Sequence, residues 1–257
     1  MPITTPMPTL FIGHGSPDNA FEDNEWSQEW RHQAATLPRP KAILTISAHW
    51  VTPGATLVTS MAQPATIHDF YGFPEAYSTF RYPAPGAPDL ARRITERIAS
   101  VPVELDDSWG LDHGTWSVLA HLYPEADIPV LQMSIDSRRS EQEHWALGRE
   151  LGALRDEGIL ILGSGNIVHH LGMIRWGGEP YDWATEFDAT IRQALRTGDQ
   201  QSLIGYQHLK HASLAVPTSE HYLPLLYILG ASRDETPQFF NESIFASSIS
   251  MTGVLFG

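Results

Sequence analysis

Thr9-Leu10-Phe11-Ile12-Gly13-His14-Gly15-Ser16-Pro17 sets a short apolar run directly against a Gly-His-Gly-Ser-Pro turn. A run without polar alternation reads as a strand buried on both faces, as in a sheet covered by helices on each side. Ala42 to Ser47, Ile128 to Ile135 and Ile159 to Leu162 read the same way, being rich in Ile, Leu and Val. Helical patterns fall among them at 24–36, 88–99, 114–122, 140–156, 182–197 and 219–230, several opening on Ser, Asp or Pro. This alternation predicts an α/β sandwich with a largely parallel central sheet flanked by helices, and one domain over residues 1–257. Ser243 to Phe256 reads as a closing or edge strand. Residues 62–88 are a long irregular stretch carrying several prolines and six aromatics, the pattern of a lid or binding loop.

Composition narrows the chemistry. With 16 Lys and Arg against 30 Asp and Glu, the formal charge is −14, which repels nucleic acid and anionic membrane surfaces. The chain has no Cys, which removes disulfides, thiolate metal sites, iron–sulfur clusters and a cysteine nucleophile. Any metal must then be held by imidazole and carboxylate. No stretch approaches the ~20 apolar residues of a membrane span, and Met1 to Pro6 has neither the basic nor the apolar region of a secretion leader. A cytoplasmic, soluble protein is expected.

Of the 12 histidines, several sit where elements end. His14 closes the first strand and His49 the second, in Ser47-Ala48-His49-Trp50. His169 follows the fourth run in Ser164-Gly165-Asn166-Ile167-Val168-His169-His170. His221 lies in Glu220-His221-Tyr222-Leu223-Pro224 at the start of a late helix, and His113 in Asp112-His113-Gly114-Thr115-Trp116 just ahead of another. Ligands of open α/β sheets bind beyond the carboxyl ends of the strands, so the three at strand ends, His14, His49 and His169, are expected to converge on one spot, and at least three of the histidines to form a metal site. Imidazole without thiolate suits Zn, Fe, Ni or Cu, and non-haem Fe(II) oxygenases use two His and a carboxylate. Adjacent helical residues point about 100° apart, so Glu220 and His221 cannot both face one ion. Glu220 gives a set of two imidazoles and a carboxylate, His221 an all-histidine one. The chain lacks Walker A, His-Glu-x-x-His and a complete dinucleotide fingerprint, and Leu162 and Asn166 break the Gly-x-Ser-x-Gly frame around Ser164.

Taken together and in order, the motifs around His14, His49, His68, His113, His169 and His221 resemble those of the bacterial 4,5-DOPA extradiol dioxygenase-like proteins, in the class III, LigB-type ring-cleavage superfamily. The resemblance spans the chain. It implies metal contacts from His14, His49 and His221, with His169 as a fourth ligand or the acid/base residue and His113 as a second catalytic candidate. It implies an extradiol cleavage of a small, DOPA-like catechol by O2, with Fe(II) for turnover and Zn(II) as an occupant after purification. The wider superfamily places Glu as the third ligand, whereas His221 stands beside Glu220 here. An all-histidine site also suits a zinc hydrolase or lyase working through metal-bound hydroxide, which is the competing expectation. His68, Phe70, Trp50 and Tyr222 are candidate substrate contacts, and Arg81 or Arg175 a candidate partner for a substrate carboxylate. The remaining histidines, 32, 121, 144, 170, 208 and 211, are expected to be structural.

Overall fold

The computed structural model describes residues 5–257; Met1 to Thr4, part of the N-terminal stretch read above, lie outside the described residues. The strands are β1 (Thr9–Gly13), β2 (Ala42–Thr52), β3 (Thr56–Thr59), β4 (Val103–Asp106), β5 (Val130–Asp136), β6 (Ile159–Gly165), β7 (Pro237–Phe240), β8 (Ile244–Phe245), β9 (Ile249–Ser250) and β10 (Gly253–Phe256). The helices are α1 (Glu25–Thr36), α2 (Glu75–Thr79), α3 (Pro88–Arg97), α4 (His113–Leu122), α5 (Glu141–Leu151), α6 (Asp182–Thr197), α7 (Gln200–Ile204), α8 (Ala212–Ala215) and α9 (Leu223–Ala231).

The main sheet has the order β4-β3-β5-β2-β6-β1-β10-β7. Its centre, β5-β2-β6-β1, is parallel throughout. Antiparallel pairing appears only further out, where β3 meets β5 and where β10 joins β1 and β7. The Ser243–Phe256 segment is therefore more than a simple closing or edge strand. It makes the β8-β9 ribbon and then β10, which lies inside the sheet while β7 takes the edge. The sequence reading passed over β3, β4 and β7, each only 4 residues long.

The continuous apolar strands do what two-sided burial requires. Phe11, Leu44, Ile46, Ile159 and Ile161 pack on one face with α3, α5, α6 and α9. Leu10, Ile12, Ile43, Leu160 and Leu162 pack on the other, with α4 and Trp30 of α1. Odd and even positions of one strand thus feed two cores, the expected result of a period of two. α9 is apolar all round because it lies buried between the sheet and α5. Among the described residues no helix is long and apolar enough to cross a membrane.

Glycine closes the gap between sheet and α9 where the site begins. A Cβ on Gly165 would stand 2.2 Å from the His221 carbonyl oxygen, and one on Gly163 2.7 Å from the Ile228 side chain. Gly165→Ala is expected to cost about 1–3 kcal/mol, as overpacking of a tight interior does. It should also displace His221, so denaturation and metal-binding titrations of this variant should both shift; an unchanged affinity would disconnect the two.

Candidate active site

The carboxyl ends of the parallel strands carry the cluster. His14 follows Gly13, whose partner on β6 is Gly165. Its backbone N–H donates to the Gly165 carbonyl at 3.1 Å, and its own carbonyl accepts from Asn19 Nδ2 at 2.9 Å. His49 lies two residues past the last β2–β6 pair, Ser47 with Ser164, where β2 also loses register with β5 between Ile46 and Val51. His113 is the first residue of α4, whose N-cap Asp112 accepts from the Thr115 N–H. His169 is fixed by a single bridge to Ile249 and by donating its N–H to the Ala215 carbonyl at 2.8 Å. His221 sits in the turn before α9 rather than inside the helix, and its carbonyl accepts from the Asn166 N–H at 2.8 Å.

All five rings meet. The centroids of His14, His49 and His221 form a near-equilateral triangle with sides of 5.0, 5.4 and 5.1 Å. His113 lies 3.9 Å from His49, and His169 stacks on His221 at 3.4 Å. One nitrogen each of His14, His49 and His113 fall within 4.8 Å of one another, as do donor atoms of His169, Glu220 and His221.

The outward nitrogens are tied down. Ser164 donates its one hydroxyl proton to the Gly114 carbonyl at 2.5 Å, so its oxygen accepts from His14 Nδ1 at 3.0 Å. That assigns the proton of His14 to Nδ1 and leaves Nε2 a bare acceptor. Asp69 takes Nδ1 of His49 on one oxygen at 3.2 Å and Nδ1 of His113 on the other at 3.0 Å, and also accepts the His113 N–H. Glu220 holds His221 Nδ1 at 3.0 Å and receives the Thr218 hydroxyl. Its carboxylate orients the ring from behind, and the donor that points inward from this pair is His221. His221 Nε2 is buried and has no hydrogen-bond partner among the described residues.

Burial and the neighbouring imidazoles push His14 and His221 well below the usual histidine range, and burial carries His169 down to about 4. Burial together with His49 also lowers His113. His49 alone rises: burial opposes its charge, but the Asp69 hydrogen bond and the charges of Asp112 and Asp69 outweigh that. In the metal-free protein a proton on Nε2 of His49 would be shared with Nε2 of His14, 3.1 Å away. Asp69 is held far below the usual carboxylate range, burial being overcome by its hydrogen bonds to His113 and His49.

A cavity of about 310 Å³ opens onto these rings, and it is walled otherwise by Phe70, Phe73, Leu171, Ile174, Trp176, Phe245 and Ile249. Phe70 lies where the sequence placed it. Trp50 does not: it stacks on Trp109 at 5.6 Å and is buried away from the cavity, because successive strand residues face opposite ways and His49 takes the inward position. Tyr222 is likewise core, its hydroxyl donating to the Leu203 carbonyl at 3.0 Å. His68 bonds the Phe80 carbonyl at 3.0 Å and braces the aromatic loop instead of lining the cavity. Outside the cluster, His144 pairs with the Tyr227 hydroxyl, His121 with the Asn19 carbonyl and His211 with Glu186, all structural. Ser164 and the bridging role of Asp69 escaped the sequence reading; the Asp beside His68 was the one available signal.

The family model described as catalytic LigB subunit of aromatic ring-opening dioxygenase matches residues 4–257. The chain belongs to the LigB family. The chain is 49% identical over 261 residues to the 4,5-DOPA dioxygenase extradiol of Escherichia coli K12, covering 99% of this chain and 96% of that protein. It is 39% identical over 237 residues to the protein of that name from Beta vulgaris, covering 89% and 88%. A crystal structure of an uncharacterized Escherichia coli K12 protein superposes with a TM-score of 0.85 at 45% identity, covering 98% of this chain and 100% of that one. This LigB-family chain is accordingly an extradiol ring-cleavage dioxygenase, of a metal-dependent family.

In this LigB-family chain His14 and His49 share a nitrogen cluster with His113, and His221 lines the same cavity, a donor set of the kind a divalent metal takes. Two ligand nitrogens at 2.0–2.1 Å from one ion, subtending 90–109°, stand about 2.8–3.4 Å apart; His14 and His49 Nε2 are 3.1 Å apart. The buried Nε2 of His221, with no hydrogen-bond partner among the described residues, is free to serve as a donor. Asp69, Ser164 and Glu220 provide the outer hydrogen bonds that ligating imidazoles use.

Two outcomes follow for the metal-free and metal-loaded protein. Asp69→Asn keeps the size of the side chain but cannot accept from both rings as a charge, so metal affinity by competition titration should fall about 10–100-fold. In the metal-free protein the four lowered histidines bind protons more readily when unfolded. Stability should therefore fall as pH drops from about 6.5 toward 4, with the lowered His121 and His144 adding to the loss and the raised His49 and Asp112 opposing it, and Tm measured across that window should decline.

Proposed function

We propose that His14, His49 and His221 hold one Fe(II), and that the chain, as one catalytic unit over residues 1–257 in the cytoplasm, opens the ring of a small catechol with O2. Three observations support this: the 3.1 Å approach of the His14 and His49 nitrogens, the partnerless Nε2 of His221, and the 49% identity to an enzyme named for 4,5-extradiol cleavage of DOPA. Fe(II), when bound, supplies the redox chemistry that lets O2 react with an electron-rich ring. Zn(II), which the same nitrogens hold comfortably, supplies none.

The residues around that position divide the remaining work. Phe70 and Phe73 give the ring an aromatic wall to lie against. Burial keeps His169 neutral at pH 7, so its free nitrogen accepts a proton from a catechol hydroxyl and returns it later in the cycle. His113 is the second base. Its Nδ1–H donates to Asp69, which stabilises the imidazolium formed when the other nitrogen takes a proton. Phe70 and Phe73 cover one side of the ring, and the low polarity there strengthens the Asp69 contacts.

Anaerobic loading with Fe(II), followed by DOPA, caffeate or an alkylcatechol under air, should consume O2 and give a yellow ring-fission product. His169→Ala should lower kcat by about 10²–10⁴-fold while bound iron persists, and His14→Ala should lose the iron itself. O2 uptake by none of these catechols with iron-loaded protein would overturn the reading.

A further inference from the structure

The cavity above the histidines has two kinds of lining. Its lining joins the imidazole cluster and Asp69 to the apolar side chains of Phe70, Phe73, Leu171, Ile174, Trp176 and Phe245, with Gly15, Ser16, Pro17 and Ile249 completing it. Its one side-chain hydroxyl, on Ser16, is spent in donating to the Asp18 carboxylate at 2.6 Å. Among the described residues no Lys or Arg lines it. The two arginines nearest the wall in sequence are engaged elsewhere. Arg175 lies 3.9 Å over the Tyr181 ring and donates to the Glu179 carbonyl at 2.9 Å. Arg81 donates to the Ser78 and Phe80 carbonyls at 3.0 and 2.7 Å. At the wall, Leu171 and Trp176 remain 61% and 70% exposed, apolar surface that a ligand entering the cavity would cover.

We infer that the preferred substrate is a catechol whose ring substituent is uncharged and apolar, a chain of a few carbons, and not a catechol amino acid. This rests on the reading of the cavity as a catechol-cleaving site. With the two hydroxyls directed at the histidines, the substituent points along the apolar wall. A carboxylate there meets no lysine or arginine side chain and covers apolar surface without gaining from it. A methylene there covers Leu171 and Trp176 and gains affinity. With a volume of about 310 Å³, the cavity has room for one ring and a short chain.

The test compares three ligands with similar carbon chains: 4-propylcatechol, 3-(3,4-dihydroxyphenyl)propionate and DOPA. Each is titrated anaerobically into the intact protein, metal-free and Fe(II)-loaded, following quenching of tryptophan fluorescence with Trp176→Phe as the control. Each is then assayed for O2 uptake. The propyl compound should bind at least about tenfold more tightly than either acid and show at least about tenfold higher kcat/KM. Leu171→Arg, at an exposed position, should narrow or reverse that order by strengthening both acids. Tighter binding of DOPA or of the propionate, or an unchanged order in Leu171→Arg, would overturn the inference whatever the turnover. The expected binding order with no O2 uptake would instead sustain the inference and overturn the ring-cleavage reading.

Discussion

The structure depends on one constraint: five imidazoles share a small buried volume, and each needs its ring held by something outside that volume. Four rings can be oriented because Ser164, Asp69 and Glu220 fix their Nδ1 atoms from behind. The fifth, His169, is positioned by its stacking on His221 and its backbone bond to Ala215. Those holding groups come from the end of β6, the aromatic loop and the turn before α9. The fold therefore has to bring three separate pieces of chain to the carboxyl ends of β1, β2 and β6. Parallel strands are the economical way to do this, since every such strand ends on the same side of the sheet.

The same constraint explains why the interior there is built from small residues. Gly163 and Gly165 let α9 approach β6 closely enough for His221 to enter the cluster, and Gly114 leaves room beside Ser47 and His49. Asp112 is buried, its carboxyl pushed up by burial, and is satisfied by Ser47, Gln132 and the Thr115 N–H. It caps α4 and so aims His113, acting on the site through the helix without entering the cavity.

How much of this was legible follows from the range of each signal. The apolar runs and the strand-end histidines are local patterns, so the parallel core and the convergence of His14, His49 and His169 are read directly, whereas His113 and His221 join them through the family resemblance. β3, β4 and β7 are too short for a pattern to stand out, and β10 enters the sheet antiparallel for reasons of pairing that its own residues do not display. Trp50 and Tyr222 were misplaced by proximity in sequence. On a strand the residue beside an inward-facing histidine points the other way, which turns Trp50 from the pocket, and at the start of α9 Tyr222 is drawn into the core by its bond to the Leu203 carbonyl. The Asp69 bridge joins residues 20 and 44 positions apart and leaves no local trace, apart from a carboxylate set in an aromatic loop.

The central claim is that imidazole nitrogens, with Glu220 behind them and not among them, hold a single metal. X-ray absorption at the zinc edge, on protein loaded with one equivalent of Zn(II), tests it most directly. The expected shell contains three imidazole nitrogens at about 2.0–2.1 Å, together with oxygen from solvent, and is unchanged in Glu220→Gln apart from weaker affinity. A shell with fewer than three imidazoles, or one that loses a carboxylate oxygen in Glu220→Gln, would contradict it.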